Sequence, residues 1–320
     1  MIDYISATKY NCKDNLFLGH CKLEKIYPDS GLSLYSLEGC EKMKIWHKPE
    51  ADLLKVEGSL PYFLNGNNFT FSTSELVQAI DVIDSLLGGA GLWGALLNTF
   101  EYGVILQVEG KPKDYIARHS AGAGSKLHKV INEKYGGKFA MWQGKGLDIK
   151  MYDAGANILM KQGLVRREVI ERAGWDPDGN YLKCEMRYHD PSRLLMGKGV
   201  PLEKLQNESF LNMLKGDLMG NYHTLTPARA LLPATDKKEC TSLDLVLRTL
   251  LDVVMNTQGL SLHDAKKRIY AEINRAQCLT KADKDARKAQ VSKSLAKVQE
   301  APESEWDLSA RIEGALAIDE

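Results

Sequence analysis

A tyrosine, several cations and several acids fall at alternating positions on short stretches of this chain. If residues 146–152 (GLDIKMY) are extended, Asp148, Lys150 and Tyr152 share one face, with Leu147, Ile149 and Met151 on the other. The same rule over residues 181–188 groups Lys183, Glu185 and Arg187 opposite Leu182, Cys184 and Met186. A phenol, ammonium groups and a carboxylate meeting on one sheet surface suit phosphoryl transfer. The phenol can attack phosphorus while a carboxylate holds a divalent metal that neutralises the phosphate oxygens. A second acid, Glu101, stands in the apolar run LLNTFEYGVILQV beside Gly103, which leaves room; alternation puts Leu97, Thr99, Glu101, Gly103 and Ile105 on one face. A carboxylate there must be paired, hydrogen-bonded or metal-bound unless that face is wet. The bland alternative for all these stretches is a sheet with one solvated face.

These residues need strands to position them. KFAMWQ and GLDIKMY, parted by Gly-Lys-Gly, predict a hairpin, and YLKCEMRYHD a further strand beyond an intervening helix or loop. Before them, residues 1–57 alternate in short runs (LFLGHCKLEKIY, GLSLYSLE, MKIWH) and predict an antiparallel meander. Ser72, three residues before Glu75, predicts a capped helix carrying Leu76, Ala79, Ile80, Ile83 and Leu87 and ended by Gly88 and Gly89. Residues 118–126 (RHSAGAGSK) lack the G-x-x-x-x-G-K-[ST] order of a nucleotide P-loop and predict a mobile basic loop against DNA phosphates or simply a linker, with helix over residues 126–134. LEKLQNESFLNMLKGDLM predicts an amphipathic helix, and TLTPARALLPAT a connector. Two helices follow, one capped by Thr241, the other started by Ser261 and Asp264. The expected class is α+β: a mainly antiparallel β-sheet catalytic domain with flanking helices, then an all-α C-terminal region. The expected division is 1–235, 236–300 for the helices, and 301–320 as a poorly packed acidic tail.

With 320 residues, 44% hydrophobic and 26% charged, the chain can bury a substantial core. Lys plus Arg and Asp plus Glu balance at 42 each, so no overall field draws it to nucleic acid or to an anionic membrane, and such a partner needs a local patch. Residues 260–298 hold ten Lys and Arg against four Asp and Glu, and a helical pair with that modest excess suits scaffolding or a homodimer contact more than it suits DNA reading. Cys12, Cys21, Cys40, Cys184, Cys240 and Cys278 lie apart, without C-x-x-C or paired His spacing, which argues against structural zinc and a disulfide framework. There is no signal-peptide pattern at the start and no apolar run of membrane-spanning length, so the expectation is a soluble cytoplasmic protein with no membrane partner.

Taken in order, MIDYISA, FLNGNNFTFSTSEL, LNTFEYGVILQV, KFAMWQGKGLDIKMYDAG and LKCEMRYHD resemble the replication initiators of filamentous phages, over roughly residues 1–195. The last two segments also look similar to the initiators of rolling-circle plasmids. The resemblance implies a nicking-closing enzyme in a bacterial host cell. Such an enzyme cuts one strand of origin DNA, holds the 5′ phosphate as a phosphotyrosine, leaves a 3′ hydroxyl to prime synthesis, and rejoins the strand. It places Tyr152 at the nucleophile, Glu101 and Glu185 at the positions for Mg²⁺ or Mn²⁺, and Lys150 and Arg187 beside them. The implied partners are double-stranded origin DNA, the nicked single strand, and a host replication helicase or polymerase. DNA contacts are expected at Arg118, Lys126 and Lys129 and at Lys266, Lys267 and Arg268. The sequence departs from the family after Tyr152, where Asp153-Ala154-Gly155-Ala156-Asn157 leaves Lys161 as the nearest downstream lysine. The alternative is a non-catalytic origin-binding regulator or accessory replication protein.

Overall fold

Ten strands join in one antiparallel sheet, in the order β2-β3-β4-β5-β1-β6-β11-β10-β9-β8. They are β1 (Ile2–Tyr10), β2 (Cys21–Tyr27), β3 (Leu32–Leu37), β4 (Cys40–Lys48), β5 (Leu53–Ser59), β6 (Leu96–Val108), β8 (His128–Ile131), β9 (Phe139–Gln143), β10 (Leu147–Asp153) and β11 (Asn180–Tyr188). A short ribbon pairs β7 (His119–Ala121) with β12 (Leu225–Pro227). This computed structural model describes residues 1–12, 16–122, 125–131, 136–157, 166–227, 231, 242–258, 260, 262–298 and 305–317.

The expected meander forms as β2 to β5, but β1 leaves it to lie between β5 and β6 at the centre of the sheet. One sheet face is apolar, with Ile5, Val56, Phe100, Val104, Ile149, Met186 and their neighbours buried. It is covered by α2 (Thr73–Leu86), α5 (Glu208–Tyr222) and α9 (Ser309–Ala317), with α3 (Pro112–Arg118) also packed into this core. The capping box on α2 is present: the Ser72 hydroxyl accepts from the Glu75 amide, and the Glu75 carboxylate accepts from the Ser72 amide at 2.6 Å. The opposite face carries the polar residues and one small apolar cluster of Phe69, Ile105, Val169, Ile170 and Tyr181, to which α4 (Arg166–Arg172) contributes.

Three expectations are corrected. Residues 128–131 form an edge strand rather than a helix, because pairing with β9 outweighs local propensity; residues 132–135 lie outside the described residues. The amphipathic pattern after residue 201 is divided, a 3-10 helix over Leu202–Gln206 giving way to an α-helix only at Glu208, where the Asn207 side chain accepts from the Phe210 amide. The poorly packed tail is instead α9: Leu308, Ile312 and Leu316, four apart, are buried in the main core, and Trp306 packs edge-on against Tyr115. The expected all-α region is present as α6 (Ser242–Gln258), α7 (Leu262–Arg275) and α8 (Lys281–Leu295), around a separate core of Leu251, Met255, Ala265, Leu295 and Val298. Thr241, Ser261 and Cys240 lie outside the described residues. Cys12, Cys21, Cys40, Cys184 and Cys278 are free. No described helix is long and apolar enough to cross a membrane.

Candidate active site

Register across three strands sets the site. Lys150 on β10 pairs with Glu185 on β11, and Tyr152 pairs with Lys183. On the other side of β11, Arg187 pairs with Glu101, and Glu185 pairs with Gly103. The predicted groupings on β10 and β11 are therefore those of the structure. Gly103 is required by this register: a Cβ there would come within 2.4 Å of the Cys184 carbonyl oxygen and of the Glu185 Cβ.

The fourth strand adds an acid that alternation did not assign. On β1, Ile2 pairs with Tyr102 and Ile5 with Phe100, so two residues, Asp3 and Tyr4, oppose the single Glu101. This bulge turns Asp3 towards the cluster. Asp3 accepts from Lys183 Nζ, from the Ser59 hydroxyl at 2.6 Å and from Asn68 Nδ2 at 2.9 Å. Nothing in the local spacing of IDYISA marks it, since its partners come from residues far along the chain. A second register shift, opposite Ser6 and Ala7, pairs Leu97 with Ala7 and takes Leu97 to the apolar face, so that it does not share the face of Thr99 and Glu101 that simple alternation predicts.

The resulting cluster is buried. Lys150 Nζ contacts Glu101 Oε1 and lies 3.3 Å from Glu185 Oε1. Lys183 Nζ contacts Asp3 and lies 3.2 Å from Glu185 Oε2. The Tyr152 hydroxyl donates to Glu185 Oε2 at 3.3 Å, with Lys183 Nζ 5.9 Å from the centre of its ring. Arg187 Nε is 3.6 Å from Glu101 Oε1, and its guanidinium lies over the Tyr4 ring at 5.5 Å. Asp148 shares the face but bonds His189 Nε2 at 2.7 Å at the rim. The other tyrosines near this sequence belong elsewhere: Tyr188 donates to Asp217, and Tyr102 is buried on the apolar face.

Electrostatics follow from burial and pairing. Burial and the neighbouring Glu185 hold the Glu101 carboxyl up at about 7, against the pull of Lys150. Burial, then Glu185 and Asp3, raise the Tyr152 phenol well above its ordinary value, so it is a neutral donor at neutral pH. Burial opposes charge on Lys183, but Asp3 and Glu185 outweigh it and raise its pKa; burial likewise opposes charge on Asp3, and Lys183 outweighs it and lowers the carboxyl.

The carboxylates of Asp3, Glu101 and Glu185 each offer an oxygen within 4.8 Å of the others. Three hard oxygen donors with no thiol or imidazole among them fit Mg²⁺ or Mn²⁺.

The structure separates the other predicted residues from this cluster. Arg118 ends α3, with its guanidinium 4.0 Å from the Trp306 ring centre. Lys129 is not exposed to a phosphate: its ammonium donates to the carbonyls of Ile116 at 3.0 Å, Ala117 at 3.3 Å and His119 at 2.5 Å, closing the end of α3, and burial lowers it to about 8. Lys126 is exposed, and residues 123–124 of its loop lie outside the described residues. Lys266, Lys267 and Arg268 are on α7; Lys266 lies over Tyr270 and Lys267 is 3.9 Å from Asp264.

Fold and site together define an antiparallel α+β protein with a buried phenol, carboxylate and ammonium cluster at the sheet centre. No protein-family model and no curated protein matches this chain. Among solved structures it is similar to a rolling circle replication initiator protein from Geobacillus stearothermophilus, at 12% identity and a TM-score of 0.40, over 75% of this chain and 89% of that one. The functional reading rests on the residues of the cluster.

Proposed function

We propose that this chain is a replication initiator of the rolling-circle type, which nicks one strand of origin DNA with Tyr152 and rejoins it. The observation that carries the reading is the hydrogen bond from the Tyr152 hydroxyl to Glu185, inside a cluster of three carboxylates and two lysines. The order of sequence segments resembling filamentous-phage initiators supports the same assignment.

The chemistry follows from those contacts. Because the phenol is held protonated, attack on phosphorus requires an acceptor for its proton, and Glu185 Oε2 is positioned to take it. A bond forms between Tyr152 Oη and phosphorus, the bond from phosphorus to the 3′ oxygen breaks, and that oxygen leaves as a hydroxyl after gaining a proton. The phosphodiester is kept as a phosphotyrosine, so the reverse attack reseals the strand without ATP. Lys183, itself held by Asp3, contacts the same Oε2 and orients Glu185, and Arg187 is placed at the more open edge of the cluster to contact a phosphate. A divalent ion held by Asp3, Glu101 and Glu185 would supply charge neutralisation at the phosphate oxygens.

A second reading, a DNA-binding protein that does not cut, rests on one observation: Lys150 and Lys183 already neutralise much of the carboxylate charge, and Tyr152 is only 8% exposed. One experiment decides between them. Supercoiled DNA carrying the protein's own replication origin is incubated with protein and Mg²⁺ or Mn²⁺. Nicked DNA with protein attached to its 5′ end supports the initiator, whereas binding without nicking or attachment supports the regulator.

A further inference from the structure

We propose that the sheet wing formed by β2 to β5 is a binding surface for single-stranded DNA, built on Tyr27 and Trp46 and the lysines around them. The proposal rests on the nicking reading for the source of that strand, and on the wing's own surface for the contact.

Register assigns the surface to the same face as the candidate active site. Trp46 on β4 pairs with Leu34 and with Lys55, and Lys55 in turn pairs with Thr8 of β1. Ser6, on the Thr8 side of β1, pairs with Thr99 of β6, two residues from Glu101 on the same face. From the strand of Trp46 to that of Glu101 is three strand spacings, about 14 Å. Tyr4, on the strand next to the wing, borders the cluster, with the Arg187 guanidinium 5.5 Å from its ring centre.

The chemistry of the wing face is aromatic and cationic. The Tyr27 and Trp46 rings stack with centroids 5.9 Å apart and planes 30° apart. Lys25 lies over Tyr27 at 4.5 Å, and Lys55 over Trp46 at 5.9 Å. Lys44 and Lys48 flank Trp46 at alternate positions of β4. Two acids share the face. Glu24 accepts from Ser36 at 2.6 Å, and Glu57 pairs with Lys55 at 2.6 Å while accepting from the Trp46 indole at 3.0 Å, which fixes the ring plane. In a chain whose charges balance overall, a local excess of lysine beside stacked, half-exposed rings is complementary to unpaired bases on an anionic backbone. Duplex DNA fits this surface less well, because its bases are already stacked on each other.

The test uses the full-length protein and a fluorescein-labelled oligothymidylate, read by anisotropy through a salt titration. Trp46→Ala should weaken binding by about fivefold or more, as expected for one lost stacking partner, while Trp46→Phe should retain most affinity. Replacing Lys25, Lys44 and Lys48 together by Ala should flatten the slope of log affinity against log salt by about 2. Tyr27→Ala gives an independent reading should Trp46→Ala disturb folding. Oligothymidylate should quench tryptophan fluorescence in the natural protein and less in Trp46→Phe. Folded Trp46→Ala and lysine variants that bind with unchanged affinity would overturn the proposal. So would an equal loss of affinity for a duplex, since stacking would then not be the mode of contact. The two readings fail separately: Tyr152→Phe removes strand attachment and should leave oligothymidylate binding intact, whereas the wing variants bear on binding.

Discussion

Replacing Lys183 by methionine removes a fully buried ammonium and keeps a side chain of similar length. In the natural protein that ammonium contacts Asp3 and lies 3.2 Å from Glu185, with both carboxylates buried. Removing one partner of a buried ion pair leaves an uncompensated charge, a loss of about 3–5 kcal/mol. The loss should depend on pH, and its sign is fixed. With Lys183 present, the Asp3 carboxyl is lowered, so its contribution is fully present above the unfolded value and fades only as pH falls through the lower folded one. Without Lys183, burial raises the carboxyl instead, and that contribution is lost as pH rises. The deficit of Lys183→Met should therefore be larger at pH 7.5 than at pH 5.5 in urea unfolding. Adding Asp3→Asn should recover a large part of it, because the orphaned charge is gone. A Lys183→Met protein within about 1 kcal/mol of the natural one at both pH values would refute the ion-pair account of the cluster.

Gly103→Ala should destabilise by about 1–3 kcal/mol or more, since the new Cβ meets the backbone of β11 at 2.4 Å; Gly110→Ala, whose Cβ would have 3.6 Å of room, should change urea stability little. Mn²⁺ affinity, measured by calorimetry, should rise between pH 6 and 8, because Glu101 must lose a proton held to about 7 before it can ligate; Glu101→Gln should bind weakly and without that dependence. Lys129→Ala should lower stability by about 1–3 kcal/mol, leaving three carbonyls at the end of α3 without their donor, and should leave the salt dependence of DNA binding unchanged.

Much of the site was legible because its pattern is local. Alternation in GLDIKMY and YLKCEMRY grouped Tyr152, Lys150, Glu185 and Arg187 correctly, and Ser72 with Glu75 located the start of α2. Asp3 was not legible, because a bulge and not alternation turns it inward, and its partners Ser59, Asn68 and Lys183 are 56, 65 and 180 residues away. Lys129 read as a free cation because no local signal shows that an edge strand will aim it at the end of α3. The acidic run before residue 308 hid the four-residue spacing of Leu308, Ile312 and Leu316, which is the signal that α9 packs into the core. In sequence the wing is no more than a meander, since its aromatic and cationic character emerges only when four strands are laid side by side.

The central claim is that Tyr152 is the nucleophile, and peptide mapping tests it most directly. The protein is incubated with a single-stranded oligonucleotide carrying its origin sequence and Mn²⁺, digested with protease and nuclease, and its nucleotide-bearing peptides are sequenced by mass spectrometry. The account predicts one modified residue, Tyr152, and no adduct in Tyr152→Phe, whose urea stability should fall by no more than the roughly 0.5–1.5 kcal/mol of one hydrogen bond. An adduct on Tyr188 or Tyr102, or one that persists in Tyr152→Phe, would contradict it.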